Sequence, residues 1–314
     1  MTSATILKQS ICRKILKRTL HVERILNYDI YGLENSGYSH PPIIFLHGFL
    51  GNRKNNRSAG KLLSQKLDTP VIIPDLRNHG DSFHARPHNY KAMCEDLDIL
   101  IKNLPLPLSG SVNGYTLIGH SMGGKLAMMY SLLNPDLIKS VVSVDNVPYA
   151  NPKLSYYEFE SFHIALKEIE NCIEKNNSWD LTQLKNHLLK YVEPNTHIVD
   201  FYLTNVKHTR GSGLSAKVPL DVLRNSIEDI LNWKLEIYGD MDKYANQSGT
   251  PPLLIINALK SHFVGEHPER EQVHKWFANY HEESIDASHW VITEKKAHFV
   301  TLVAHWLSCT KKTD

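Results

Sequence analysis

The sequence predicts an α/β fold: a mostly parallel sheet flanked by helices, with a helical cap inserted before the last strands. Three observations carry that expectation. From residue 23 onward, short apolar runs bounded by turn residues alternate with stretches of helical periodicity, as expected for strands buried on both faces and joined by crossover helices. A serine in Gly119-His120-Ser121-Met122-Gly123 stands between one such run and one such helix. Between residues 148 and 233 the periodicity is helical, with no convincing strand, and the sheet pattern then resumes.

In chain order, the runs at 42–46, 71–73, 115–119, 140–144, 253–256 and 284–286 read as strands, and 56–67, 90–104 and 122–133 as helices on the flanks. The C-terminal helix carries Phe299, Leu302, Val303, Trp306 and Leu307 at the spacing of one buried face. This assigns residues 23–147 and 234–314 to the sheet-bearing core and 148–233 to the cap. The first 22 residues differ: Lys8, Arg13, Lys14, Lys17 and Arg18 are not balanced by any acid, while Ile11, Ile15 and Leu16 share one helical face. That basic amphipathic pattern is expected of a mitochondrial presequence; a basic surface helix is the alternative.

Composition narrows the function. Lys and Arg number 35 against 33 Asp and Glu, a formal net charge of +2 in 314 residues, so no surface built for nucleic acid is indicated. Nor does the sequence point to a partner protein. Cys12, Cys94, Cys172 and Cys309 are scattered without Cys-x-x-Cys or metal-ligand spacing. No run reaches the roughly 18 to 20 apolar residues that span a bilayer.

The serine motif is G-x-S-x-G, and its strand-before, helix-after setting is what a nucleophile elbow needs. Glycines flank the serine because a tight strand-to-helix turn brings backbone too close for side chains. Ser121 is therefore the expected nucleophile, with the Met122 N–H, at the helix N-terminus, donating to an oxyanion. A second donor is expected from His47-Gly48-Phe49-Leu50-Gly51, the loop after residues 42–46; the Phe49 N–H is assigned to it. A serine nucleophile needs an imidazole base oriented by a carboxylate. The base should follow the last strand, which leaves His289 and His298 among the 18 histidines. His289 is favoured because His298 and His305 flank the apolar stripe of the C-terminal helix. For the acid, the run at 253–256 is followed by no carboxylate before Glu266, whereas Asp145 ends the strand after the nucleophile helix. Asp145 is favoured and Glu266 is the alternative. The polar cluster from Asp75 to Ser82 is expected to tie a loop beside the active edge.

Together the His-Gly-Phe-Leu-Gly loop, Pro74-Asp75-Leu76-Arg77-Asn78-His79-Gly80, Leu117-Ile118-Gly119-His120-Ser121-Met122-Gly123-Gly124-Lys125 and Val144-Asp145-Asn146 resemble one branch of the α/β-hydrolases. That branch contains bacterial esterases, animal mitochondrial abhydrolases and yeast ethanol acetyltransferases. The resemblance implies an acid after the strand that follows the nucleophile, matched by Asp145, and a base in His-Trp-Val, matched by His289-Trp290-Val291. It also matches Ser261 to a serine that assists the triad in some bacterial members. Ala287 and Ser288 depart from the glycine usual before the base.

The expected chemistry is serine-dependent acyl transfer through an acyl-enzyme, with acetyl-CoA as acyl donor and no permanently bound cofactor. Ethanol as acceptor makes the protein an alcohol acetyltransferase; water makes it a short-chain carboxylesterase or thioesterase. A non-catalytic ligand-binding protein of the same fold is the alternative from another class. The N-terminal pattern yields a separate expectation: a tagged chain lacking residues 1–22 stays in the cytosol on fluorescence imaging, and its continued import into mitochondria would refute the presequence.

Overall fold

A computed structural model describes residues 24–33, 38–106, 114–150, 156–175, 178–233, 249–264 and 267–310; the expected presequence lies outside them. Seven strands form one sheet in the order β1-β3-β2-β4-β5-β8-β9. These are β1 (Tyr28–Tyr31), β2 (Ile43–Leu46), β3 (Val71–Pro74), β4 (Tyr115–His120), β5 (Ile138–Val144), β8 (Leu253–Ala258) and β9 (Tyr280–Ile285). Every pairing is parallel except β1 with β3. The chain steps from β2 outward to β3 and then crosses back to β4, so the order reverses between β2 and β4. Crevices at such a reversal, beyond the strand C-termini, are where open α/β sheets bind ligands.

The strands are buried on both faces because their apolar runs supply both. Ile44, Leu46, Leu117, Val141, Leu253 and Ile255 pack on the side of α2 (Tyr90–Lys102) and α3 (Met122–Leu133). The alternate positions Ile43, Phe45, Ile118, Val142, Leu254 and Ile256 pack on the side of α1 (Arg53–Leu67) and α11 (Lys296–Thr310). Alternation with period two sends neighbours to opposite faces. Helix α1 begins three residues before its predicted start because Asn52 accepts the Lys54 N–H at 3.1 Å while Asn55 accepts the Asn52 N–H at 2.7 Å, satisfying orphan donors of the first turn.

Among the described residues between β5 and β8 lie five helices: α4 (Tyr156–Lys175), α5 (Leu181–Tyr191), α6 (Thr196–Leu203), α7 (Leu220–Arg224) and α8 (Ile227–Leu231). They are not alone. A hairpin of β6 (Val206–Thr209) and β7 (Gly213–Ala216) corrects the expectation of a purely helical stretch over 148–233. Lys207, His208 and Thr209 are all exposed, so these four-residue strands show no alternation to read. Strand β1 also went unpredicted, since all four of its residues are only half-buried. The last strand is longer than the expected 284–286; its exposed His281 and Glu283 mark an edge that charge protects from further pairing. The short helices α9 (Arg270–His274) and α10 (Val291–Glu294) complete the described elements. No described helix is long and apolar enough to cross a membrane.

Helix α11 docks through Phe299, Val303 and Leu307, with Phe299 fully buried and stacked on Phe45 at 5.9 Å. Replacing Phe299 with Ala should destabilise the fold by about 3–5 kcal/mol through lost transfer energy and a residual cavity, read as a lower urea midpoint with an unchanged slope.

Candidate active site

Strands β2, β4, β5, β8 and β9 end on one edge of the sheet, and the residues singled out in the sequence follow those ends. Ser121 comes directly after β4, at φ 53 and ψ −120. A side chain held there is strained by about 1–3 kcal/mol, and the surroundings enforce it: a Cβ on Gly119 would lie 2.0 Å from the Gly123 carbonyl oxygen, and one on Gly123 2.7 Å from those of Leu46 and His47. Backbone bonds complete the clamp, with the Ser121 N–H donating to Val144 at 2.9 Å and the Ser121 carbonyl accepting from Gly124 and from Asn146 Nδ2 at 2.8 and 3.0 Å.

Asp145 follows β5, also at positive φ (54°), and is fully buried. Its Oδ2 accepts a hydrogen bond from His289 Nδ1 at 2.6 Å. Because Nδ1 carries that proton, a neutral imidazole keeps its lone pair on Nε2, the protonation state a general base needs. The ring is further fixed from outside the acid–base pair. Phe263 stacks on it at 3.9 Å with planes 16° apart, and the His289 carbonyl accepts from His120 Nε2 at 2.7 Å. His298, the alternative base, is exposed on α11. Glu266, the alternative acid, lies outside the described residues. Ser261 is buried in the turn after β8, where its Oγ accepts the Phe263 N–H at 3.2 Å.

The loop after β2 runs against the elbow, so that a Cβ on Gly48 would meet Ser121 Cβ at 3.2 Å. Two of its amides are engaged: Gly51 N–H donates to Gly48 and Leu50 N–H to His79 Nε2, each at 3.0 Å. Among the described residues no group accepts the Phe49 N–H or the Met122 N–H at the start of α3. Both remain available to a ligand at Ser121.

Two histidines behind this loop hold it in place. His47 Nε2 accepts the Leu76 N–H at 3.0 Å while Nδ1–H donates to Gly48 at 2.8 Å. His79 repeats the pattern, with Nδ1–H donating to Arg77 at 2.9 Å. Each ring is therefore neutral and fixed in one tautomer. Burial pushes His47 down to about 4 and, aided by His47 beside it, His79 down to about 3. The polar cluster is structural as expected: Asp75 accepts N–H bonds from Arg53 and Asp81 at 2.6 and 2.8 Å, and Arg77 forks onto Asp96.

Ser121 and His289 line one cleft with Phe49, Phe162, Phe201, Leu231 and Trp290, enclosing a cavity of about 50 Å³. Two buried donors hold its far wall, the end of α8. Tyr90 Oη donates to the Ile230 carbonyl at 2.8 Å and Lys125 Nζ to that of Leu231. Burial alone brings the Lys125 amine down to about 7. The sequence assigns neither residue a role, Lys125 only closing the motif around Ser121, because their partners are carbonyls over a hundred positions away.

Residues 41–296 match the family of the alpha/beta hydrolase fold. The chain belongs to the α/β-hydrolases. Within that family it is 36% identical over 313 residues to a "Probable alcohol acetyltransferase" of Saccharomyces cerevisiae, covering 93% of this chain and 87% of the relative. It is 27% identical over 286 residues to "Ethanol acetyltransferase 1" of Wickerhamomyces anomalus, covering 87% and 70%. The mouse "sn-1-specific diacylglycerol lipase ABHD11" is 29% identical over 279 residues, covering 88% and 84%. Among solved structures, a "Marine microorganism esterase" superposes with a TM-score of 0.72 at 24% identity, covering 90% of this chain and 99% of that one. This α/β-hydrolase is thus an enzyme of acyl transfer or hydrolysis, in the branch that includes the alcohol and ethanol acetyltransferases.

The neutral histidines give this hydrolase a pH dependence of known sign. Their folded values lie below the ordinary 6.5, so the unfolded chain binds more protons in acid and stability falls as pH decreases. Their contribution is complete above pH 6.5 and is lost from there down to about 4 for His47 and about 3 for His79, at up to about 1.4 kcal/mol per pH unit for each ring. Urea unfolding across that range should show the decline; a flat profile would mean that the rings are charged in the folded protein.

Proposed function

We propose that this α/β-hydrolase transfers an acetyl group from acetyl-CoA to ethanol through an acetyl-enzyme on Ser121, with His289 as base and Asp145 as its orienting acid. The observation that carries the proposal is the 2.6 Å bond from His289 to Asp145, beside a serine at the elbow and facing a cavity of about 50 Å³. The lining of that cleft by Phe49, Phe162, Phe201 and Leu231 suits an acyl chain. The names of its alcohol and ethanol acetyltransferase relatives supply the donor and acceptor classes.

In this mechanism His289 Nε2 takes the Ser121 hydroxyl proton as Oγ bonds to the thioester carbonyl carbon. The Phe49 and Met122 amides hold the resulting oxyanion, and its collapse breaks the C–S bond. The thiolate leaves as CoA after receiving the proton from His289. Ethanol then adds to the acetyl-serine, surrendering its proton to His289, which returns it to Ser121 Oγ as ethyl acetate departs. Water in place of ethanol yields acetate, so the apolar walls from Phe162, Phe201, Ile230 and Leu231 favour the synthetic outcome by limiting water. The lipase named among its relatives makes ester hydrolysis the second reading, with the same residues in the same roles. We further propose a mitochondrial location, on the basic amphipathic pattern of the first 22 residues.

Purified protein given acetyl-CoA and ethanol should form ethyl acetate, measured by gas chromatography alongside CoA release. Ser121→Ala should lower the rate by at least about a thousandfold. CoA release without ester would replace the transferase by a thioesterase, and failure of an active-site serine probe to label Ser121 would remove the catalytic reading altogether.

A further inference from the structure

The cap contains a second constellation of reactive side chains, away from the Ser121 cleft. Glu168 and Cys172 lie four residues apart on α4 and so project from one face. His187 meets them from α5. Its Nε2 lies 2.7 Å from Glu168 Oε1, the Cys172 Sγ lies 3.8 Å from the same oxygen, and all three ligating atoms fall within 4.8 Å of one another. Cys172 is buried and the other two are half-buried.

We propose that Glu168, Cys172 and His187 form a zinc site that staples α4 to α5. A thiolate, an imidazole and a carboxylate are the donor types zinc favours, at about 2.3 Å to sulfur and 2.0–2.2 Å to nitrogen and oxygen. At tetrahedral angles those lengths place the ligand atoms about 3.4 to 3.6 Å apart. The Cys172–Glu168 separation of 3.8 Å needs almost no change, and the Glu168–His187 pair opens by less than an ångström. A sulfur ligand argues against magnesium and calcium, which take oxygen.

Charge and surroundings agree with this assignment. Zn²⁺ with one thiolate, one carboxylate and a neutral imidazole is a neutral assembly, which suits a half-buried position. Bond formation to Sγ releases the thiol proton to solvent, and the imidazole proton moves from Nε2 to Nδ1 as Nε2 becomes the ligand. A water completes the tetrahedron. Asn171 Nδ2 donates to Glu168 Oε2 at 3.2 Å, orienting the carboxylate as an outer partner does around metal ligands. The rings of Trp179 and Tyr191 stand 5.4 and 4.9 Å from that of His187 and limit its rotation. Upstream on α4, Phe162 reaches the Ser121 cleft and packs on Phe49 at 5.9 Å, so the staple also stiffens one wall of that cleft. The proposal does not depend on the acyl-transfer reading.

The test uses the full chain without a polyhistidine tag, stripped by chelator, in a Cys12→Ser, Cys309→Ser background. Those changes leave Cys172 and Cys94 as its thiols and remove the exposed pair in which Cys309 Sγ lies 3.8 Å from His305 Nε2. Titration with Co²⁺ should produce a thiolate-to-cobalt charge-transfer band saturating at one equivalent, release one proton per metal and be bleached by Zn²⁺. Adding Cys172→Ser should abolish the band, while Glu168→Gln and His187→Ala should each weaken binding at least tenfold with the metal-free circular dichroism unchanged. Zinc should raise the Tm of the background protein and leave that of the Cys172→Ser variant in place. No band on titration, a band that survives Cys172→Ser, or an equal Tm rise in both proteins would overturn the site.

Discussion

Backbone packed directly on backbone at the turn between β4 and α3 is the constraint on which the rest of the site depends. Gly119, Gly123 and the carbonyls of Leu46 and His47 occupy space that a single added methyl would contest. That closeness places the first turn of a helix beneath the end of a strand and leaves Ser121 projecting from its edge. It also brings the loop after β2 against the serine, so that a side chain at Gly48 would meet that of Ser121. The strands beyond β4 then bring Asp145 and His289 together at a spacing the sheet itself imposes, through register pairs such as His120 with Val144, Val144 with Ile256 and Ile256 with Glu283.

A further layer keeps this arrangement still. His47 and His79 each accept one N–H and donate to one carbonyl, joining the loops after β2 and β3. A charged ring has no lone pair and would lose half of that linkage. Burial therefore does more than hide these side chains: it keeps them in the one protonation state that holds two loops together. Phe263 acts on His289 by shape instead, covering a face of the ring and leaving its edge nitrogens to Asp145 and the cleft.

The sheet and the site differed in how far they could be read from sequence. Parallel central strands were legible because burial on both faces makes them continuous apolar runs, as in residues 43–46 and 253–256. The half-buried β1 and the exposed β6 offered no such signal. Ser121, Asp145 and His289 were legible because each follows a strand end in a recognisable order, and the structure does join the latter two by a hydrogen bond. Phe263, Lys125 and Tyr90 were not. Their contacts rest on how the segment after β8 and the end of α8 fold back over the core, which no local spacing encodes. The scaffold histidines stood inside motifs already noticed, yet their role depended on the partner of each ring nitrogen.

Among the described residues, five non-glycine positions adopt positive φ, and four of them, Leu50, Asn78, Ser121 and Asp145, are in the loops that build the site. Each would be more relaxed as glycine, which meets no steric penalty in that region. The reactive edge is thus where local conformational preference and chemistry disagree, while the sheet below it satisfies both. Heat resistance, used as the sole criterion for selecting variants, would reward relaxation at Ser121 and so drift away from the side chain on which the proposed chemistry rests; only selection that also scores turnover keeps the two in balance.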